Sequence, residues 1–186
     1  MKTMDVFTGS LVRLVAPDLE ADAKLMAGWN QDSEYQRLLN GDNAGFYTPK
    51  QTQTFFEKEI ESMHFFMIQR LDDDRKIGMI DLSGFNWQVG NAWVGIGIGE
   101  REMWGKGYGT DAMRTLLRYA FSELNLNRVT LDVFEINERA MKSYTKAGFR
   151  EEGRAPKVLL KAGERYDLIF MGILRSEWEA LQFQAA

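Results

Sequence analysis

The residues whose types and spacing most clearly suggest a chemical role lie at 103–112, MWGKGYGTDA, where three glycines alternate with Lys106 and Tyr108. The alternating segment 92–99 before them predicts a strand, and the apolar-periodic segment after them predicts a helix. A glycine-rich loop at such a junction brings unobstructed backbone N–H groups and the positive end of a helix to one place, which binds phosphate well. This stretch therefore predicts a ligand that carries phosphate.

The rest of the composition restricts the acid–base chemistry. The chain has no cysteine and a single histidine, His64, which opens an apparent strand. Thiolate nucleophiles, disulfides and clusters of histidine or cysteine metal ligands are thereby excluded. The acidic triplet at 72–74 is typical of a solvated turn, so we predict no metal site. Proton transfer must then use Asp, Glu, Tyr, Lys or water.

Length and charge indicate the class of protein. The 186 residues, with 45% hydrophobic and 27% charged side chains, predict a single globular domain spanning 1–186. The net charge of −4 and the lack of a basic block argue against a nucleic-acid partner. No signal pattern or apolar run of membrane-spanning length is present, which predicts a cytoplasmic protein without a membrane partner.

The elements around the loop form a βαβ unit. Strand 92–99, helix 109–124 and strand 128–134 follow one another, and such a unit has a right-handed crossover. A β-meander precedes it, and a helix capped by Asn137 and ended by Gly148 follows, before a hairpin and a terminal helix. The predicted class is α/β (α+β), with a mixed sheet.

The glycine loop is open to two interpretations of its ligand. Gly107-x-Gly109-x-x-Ala112 fits a dinucleotide fingerprint, and Asp132 lies about 20 residues on, where a ribose-binding acid is expected. Against this, about half the chain precedes the motif, and too little follows for a second mononucleotide-binding half. We interpret the glycines at 95, 97 and 99 as a bulged strand that splays from its neighbour, leaving backbone groups for an extended amide such as pantetheine.

Three segments together carry a family resemblance: 104–112, WGKGYGTDA; 137–140, NERA; and 144–149, YTKAGF. They resemble the GNAT acetyltransferase superfamily, and the RimJ/RimL-type branch, which acetylates ribosomal proteins, is the nearest pattern. The resemblance covers about residues 10–178. One departure is that Trp104 occupies the first position of the family's acyl-CoA motif, where Arg or Gln is usual.

The resemblance implies a fold, a reaction and site residues. The fold is a mostly antiparallel sheet that splays at the βαβ unit, with helices on both faces. The reaction is direct transfer of acetyl from acetyl-CoA to a primary amine, without metal. Tyr144 would be the general acid, and Asp132 or Glu100 the general base, unless a water chain serves. CoA would be bound by Ile96, Gly97, Ile98, Gly99, Trp104, Gly105, Lys106, Gly107, Tyr108, Gly109, Thr110 and Asn137.

The residues that would bind the acceptor are the hardest to predict from the sequence. Candidate residues for the amine, which belongs to a protein N-terminus or a small molecule, are Trp29, Glu34, Tyr35, Tyr47 and Trp87. Dimers are common in this branch, so a homodimer is a further expectation. Two alternatives stay open: an acyl-CoA-binding module without turnover and, less favoured, a nucleotide-binding oxidoreductase. Retention of Tyr144 favours the enzyme.

Overall fold

The computed structural model describes residues 5–185, which form a single seven-stranded sheet with helices on both faces. The strands are β1 (Val12–Val15), β2 (His64–Arg70), β3 (Lys76–Asn86), β4 (Asn91–Ile98), β5 (Arg128–Phe134), β6 (Arg150–Lys161) and β7 (Glu164–Leu174). The helices are α1 (Leu19–Trp29), α2 (Ser33–Leu39), α3 (Pro49–Glu59), α4 (Tyr108–Ser122), α5 (Glu138–Ala147) and α6 (Arg175–Ala185). Short 3₁₀ turns cover Ile60–Ser62 and Arg101–Met103.

The sheet has the order β1-β2-β3-β4-β5-β7-β6, and only β4 and β5 run parallel. These two strands pair over 91–93 and 128–130 and then separate. The remaining halves of β4 and β5 diverge, and this confirms the predicted mostly antiparallel sheet with a splay at the βαβ unit. The splay leaves a gap in the middle of the sheet.

The two faces of the sheet have separate cores. Alternate residues of β3, β4, β5 and β7, with Leu116, Phe121 and other side chains of α4, form the larger core. A smaller core on the opposite face joins Met26 and Trp29 of α1 and Tyr35 of α2 to β2. The helices of this smaller core pack mainly over the β1–β3 side of the sheet. Trp93 of β4 therefore stays 42% exposed on that face.

The predicted boundaries of the βαβ unit are close to the observed ones. Strand 128–134 is reproduced, strand 92–99 is shifted by one residue, and helix 109–124 ends at Ser122. The helix stops because the chain turns through Asn125, which has a positive φ of 54°. Helix α5 begins at the predicted cap, where Asn137 accepts from the Ala140 N–H, and ends at Gly148 with φ 110°.

The interpretation of the β4 glycines requires a correction. A Cβ added to Gly95 would lie 2.7 Å from Asp81 Oδ1. A Cβ added to Gly97 would lie 2.7 Å from the Tyr35 hydroxyl, and one added to Gly99 would lie 2.0 Å from the Trp29 ring. The register of β4 with β3 is continuous from Trp93 to Ile98, so there is no bulge at these glycines, and on this face they make room for side chains of the protein itself. The splay itself is as predicted, and it begins where the pairing of β4 with β5 ends, after Trp93 and Thr130.

Candidate active site

A cavity of about 800 Å³ occupies the splay between β4 and β5. Four parts of the chain line it: the end of α2 with the turn after it, the second half of β4 with the glycine loop, the end of β5, and one face of α5. They contribute residues 35, 38–41, 96–98, 103–105, 107–110, 132–134, 137–140, 142–144 and 146. The cavity therefore brings together the glycine loop, the strand edge, Asn137, Asp132 and Tyr144.

The glycine loop requires glycine at two positions because of their positive φ angles. Gly105 has φ 75° and Gly107 has φ 92°, both in the left-handed region that favours glycine. A Cβ on Gly105 would meet no atom within 4 Å, so space around it is not what requires a glycine. Gly107 is the N-cap of α4 and provides no side-chain cap. The N–H groups of the first turn are thus left for a ligand or solvent.

Trp104 links the loop to the strand. Its indole N–H donates to the Ile98 carbonyl at 2.6 Å, and the Arg139 guanidinium lies 3.7 Å from the ring centroid. The Arg101 guanidinium lies 5.0 Å from the same centroid. Trp104 therefore holds the loop against β4, and it takes up the Ile98 carbonyl, which is one of the groups predicted to pair with pantetheine.

Asn137 joins two walls of the cavity. Its Oδ1 accepts from the Ala140 N–H and its Nδ2 donates to the Leu38 carbonyl, both at 3.2 Å. The first bond caps α5, and the second ties α5 to the end of α2 across the cavity. The side chain therefore combines the N-cap expected from the sequence with a position at the mouth of the splay.

Tyr144 lies in the cavity wall on α5, with its ring 6.3 Å from that of Phe149. Burial raises the pKa of the Tyr144 phenol, the negative charge of Asp132 raises it further, and Arg139 opposes the shift. The phenol consequently stays protonated at neutral pH. A protonated phenol in a largely buried wall is suited to donate a proton.

The two candidate bases have different surroundings. Asp132 lines the cavity, and burial raises the pKa of its carboxyl, which suits a proton acceptor. Glu100 accepts from the Trp29 indole N–H at 3.0 Å and forms an ion pair with Arg75 at 2.5 Å. It is not among the cavity residues, and both of its carboxylate oxygens are engaged in holding α1 and the β2–β3 turn to the end of β4.

The predicted acceptor residues are mostly engaged elsewhere. Only Tyr35 lines the cavity. Trp29 is buried against Gly99, and Glu34 forms an ion pair with Arg101. Tyr47 is 47% exposed, and Trp87 is 60% exposed and stacked on Phe85 in the β3–β4 turn. Of the predicted CoA residues, the exposed Lys106 and the buried Gly99 also lie outside the lining.

Sequence analysis missed part of the lining. Arg139, Lys142 and Lys146 project from one side of α5 into the lining, and their spacing of three and four residues was the available signal. The turn after α2, with Asn40 and Gly41, gave no comparable signal. It lies in the cavity because Lys161 donates to the Asp42 carbonyl and Gly41 packs on Phe134.

Other features bear on metals and membranes. Within residues 5–185, no group of three or more acidic or histidine side chains is arranged to hold a metal ion. Asp72 and Asp73 instead pair with Arg70, and Asp74 pairs with Arg13. None of the helices in the described part of the chain combines the length and apolar composition needed to cross a membrane.

Known structures resemble this fold over most of the chain. A spermidine N-acetyltransferase from Vibrio cholerae, solved in complex with CoA and spermine, superposes with a TM-score of 0.80 at 24% identity, covering 90% of this chain and 98% of that one. An acetyltransferase (GNAT family) from Bacillus anthracis superposes with a TM-score of 0.78 at 19% identity, over 91% of this chain and 98% of that one. These likenesses concern the fold.

Sequence relatives carry the assignment further. The putative ribosomal N-acetyltransferase YdaF of Bacillus subtilis is 38% identical over 59% of this chain, and the match spans only 59% of that relative's length. The uncharacterized N-acetyltransferase YokL, from the SPbeta prophage of B. subtilis, is 30% identical over 76% of this chain and 80% of its own. Residues 12–150 match the Acetyltransferase (GNAT) domain. With a matching fold and these relatives, the chain belongs to the GNAT family of acyltransferases, as the joint resemblance of the three sequence segments indicated.

Proposed function

We propose that this chain transfers an acetyl group from acetyl-CoA to a primary amine by direct attack in a ternary complex. One observation carries the proposal: a single cavity contains the uncapped glycine-loop start of α4, the splayed edge of β4 and the protonated Tyr144 phenol. The first binds phosphate, the second suits an extended amide and the third supplies a proton. Acetyl-CoA has the matching parts in one molecule.

The donor fits the charges of the cavity. The pyrophosphate would bind the first-turn N–H groups of α4, where the helix end adds positive potential. Arg139, Lys142 and Lys146 contribute cationic side chains to the same lining. The free edge of β4 around Ile96 and Gly97 would receive the pantetheine arm, leaving the thioester in the gap between the strands.

The chemistry is an acyl transfer with two proton movements. The amine loses a proton to the Asp132 carboxylate, its nitrogen bonds to the thioester carbonyl carbon, and the C–S bond breaks. Tyr144 gives its phenolic proton to the departing sulfur, so CoA leaves as the thiol. No covalent acyl-enzyme is needed, because holding both substrates in one cavity supplies the required proximity.

The acceptor is proposed at the level of a primary amine. YdaF carries a ribosomal assignment, while the Vibrio cholerae enzyme is a spermidine N-acetyltransferase. Both acceptor classes present a primary amine, and the end of α2 with its following turn would face it. A screen of peptide N-termini, polyamines and other small amines, followed by release of free thiol, would identify the acceptor.

Binding and turnover together test the proposal. Thermal unfolding is measured with acetyl-CoA, CoA, NAD and ATP, since a ligand at 100 times its Kd stabilises a protein by roughly 2.7 kcal/mol. A shift with the CoA species plus amine-dependent thiol release is expected. A shift with CoA but no thiol release from any amine would support the non-catalytic module, and a shift with NAD alone would support the oxidoreductase.

A further inference from the structure

A row of residues crosses the sheet at the splay. Asp81 of β3 pairs with Gly95 of β4, and the parallel register that joins Trp93 to Thr130 would bring Gly95 opposite Asp132 if the strands stayed together. Side chains at these paired positions share one face of the sheet. Because β5 has diverged there, Gly95 has a carboxylate-bearing residue on each side and a gap towards Asp132.

The Asp81 carboxylate leans over β4 towards that gap. Its Oδ1 lies 2.7 Å from the position that a Gly95 Cβ would occupy, which only glycine permits. Within the part of the chain that the structure describes, no cationic side chain lowers the pKa of the Asp81 carboxyl, and only a hydrogen bond with the Ser83 side chain opposes the effect of burial. Burial raises the pKa of the Asp81 carboxyl to about 6, so at neutral pH it is a half-buried anion without a cationic partner.

Gly95 lies on a face of β4 that borders the cavity, with an aromatic side chain towards each end. Trp93 and Gly97 lie two residues on either side of Gly95 on the same face of β4. Trp93 is 42% exposed, and the Tyr35 hydroxyl lies over Gly97. Tyr35, Gly97 and Asp132 line the cavity, whereas Asp81, Trp93 and Gly95 lie beside it. An anion with aromatic side chains nearby suits an alkylammonium group.

We propose that Asp81 binds the acceptor amine as a cation at this face of β4 and makes the enzyme discriminate against acceptors with a carboxylate near the amine. The inference rests on the proposed function, since it assigns the acceptor side of the same site. Asp81 keeps its charge and positions the acceptor. Asp132 takes one proton from the ammonium before attack, and the second N–H proton, lost as the amide forms, passes to the Tyr144 phenolate left when CoA departs as the thiol. A half-buried carboxylate gains a partner when a cation binds, and an anionic group beside Asp81 and Asp132 is repelled.

The test compares acceptors that differ only in charge. Butylamine is paired with 4-aminobutyrate, and a tripeptide beginning Ser-Lys is paired with one beginning Ser-Glu. In whichever pair it acetylates, the wild-type enzyme is expected to prefer the cationic member. Asp81→Asn removes the repulsion that acts on only one member of each pair and should lower the ratio of the two kcat/KM values about tenfold, or about 1.4 kcal/mol, with the KM for acetyl-CoA unchanged.

Two further variants separate this role from a structural one. Gly95→Ala puts a methyl group where the Asp81 carboxylate lies and should lower the same ratio without changing any charge. Asp74→Asn, in the exposed β2–β3 turn, removes one carboxylate at a positive φ that asparagine tolerates and should leave the ratio unchanged. Thermal unfolding of each variant with and without CoA verifies that it is folded.

The outcomes are distinct. A folded Asp81→Asn enzyme that keeps the wild-type preference, or that loses affinity for CoA as well, overturns the inference, as does a wild type without preference. If no amine gives thiol release, the proposed function fails instead. The same acceptor pairs are then titrated calorimetrically into the CoA complex, where equal affinities for both members would overturn the charge preference itself.

Discussion

The two sides of the cavity are built in different ways. The proposed donor side consists of β4, the glycine loop and the start of α4, which are contiguous between residues 91 and 122. The proposed acceptor side combines the end of α2 and the end of β5, which line the cavity, with Asp81 of β3 beside it, and these parts are far apart in the chain. A ligand that binds backbone can be recognised in a short sequence. A ligand that binds side chains needs the assembled fold.

The aromatic residues near the two sides of the cavity are also engaged in different ways. Trp104 is on the donor side, where its indole N–H bonds to the Ile98 carbonyl and fixes the loop. Trp29 and Trp87 were predicted for the acceptor, yet one fills the space above Gly99 and the other stacks on Phe85 in a turn. An aromatic side chain near a candidate site thus indicates packing as readily as binding.

The largest effect is expected at Tyr144. Tyr144→Phe removes the proton donor and should lower kcat about 100-fold or more, the usual range for general acid catalysis, with an unchanged Kd for CoA. Single-turnover kinetics with calorimetry separates the two quantities. Tyr119→Phe is the matched control, because it removes a hydroxyl that contacts His64 away from the cavity. Equal turnover in wild type and Tyr144→Phe, with chemistry rate-limiting, would contradict the assignment.

The next effect tests the backbone character of the donor side. Gly107→Ala forces a left-handed conformation on a residue with a Cβ, which costs roughly 1–2 kcal/mol, and it should weaken CoA binding about tenfold. Calorimetric titration of CoA measures this. Gly163→Ala, in the β6–β7 turn with φ 84°, imposes comparable strain away from the cavity and should leave CoA affinity unchanged. Equal losses of affinity in both variants would indicate general destabilisation.

A pH profile of activity tests Asp132, whose carboxylate would act between the proposed donor and acceptor sides of the cavity. A base must be deprotonated to accept a proton, and burial raises the pKa of Asp132, so activity should fall as pH drops through that raised pKa. Asp132→Asn should lower kcat and abolish the acidic limb of kcat measured at saturating acceptor, where protonation of Asp81 changes the acceptor KM instead. The pKa of Tyr144 is raised as well, so the phenol should not cause an alkaline loss below about pH 10. An unaltered acidic limb in Asp132→Asn would remove Asp132 as the base.

The smallest effect is expected at Trp87. Because its ring is 60% exposed and lies outside the cavity, Trp87→Ala should change stability by no more than about 0.5 kcal/mol and leave the acceptor KM unchanged. Thermal unfolding and initial-rate kinetics measure both quantities. A clear rise in acceptor KM would mean that the acceptor extends to the β3–β4 turn and that the sequence-based prediction was right.

The fold was predictable where local signals agreed with one another. Asn137 at a helix start, Gly148 at its end and the alternation in 128–134 each specify backbone conformation within a few residues, and all three elements form as expected. The β4 glycines show the limit of such reasoning. Their sequence signal indicated a special environment, but only the positions of Asp81, Tyr35 and Trp29 show what occupies it.

The sequence by itself determined the glycine loop, the βαβ unit and the family, because each depends on backbone geometry that neighbouring residues specify. The tertiary structure decided which side chains meet at the splay. It engaged Glu100 with Arg75 and Trp29, and it placed Asp81 in line with Asp132 through strand registers that join distant segments. Such registers depend on packing across the whole sheet, and no local pattern in the chain encodes them.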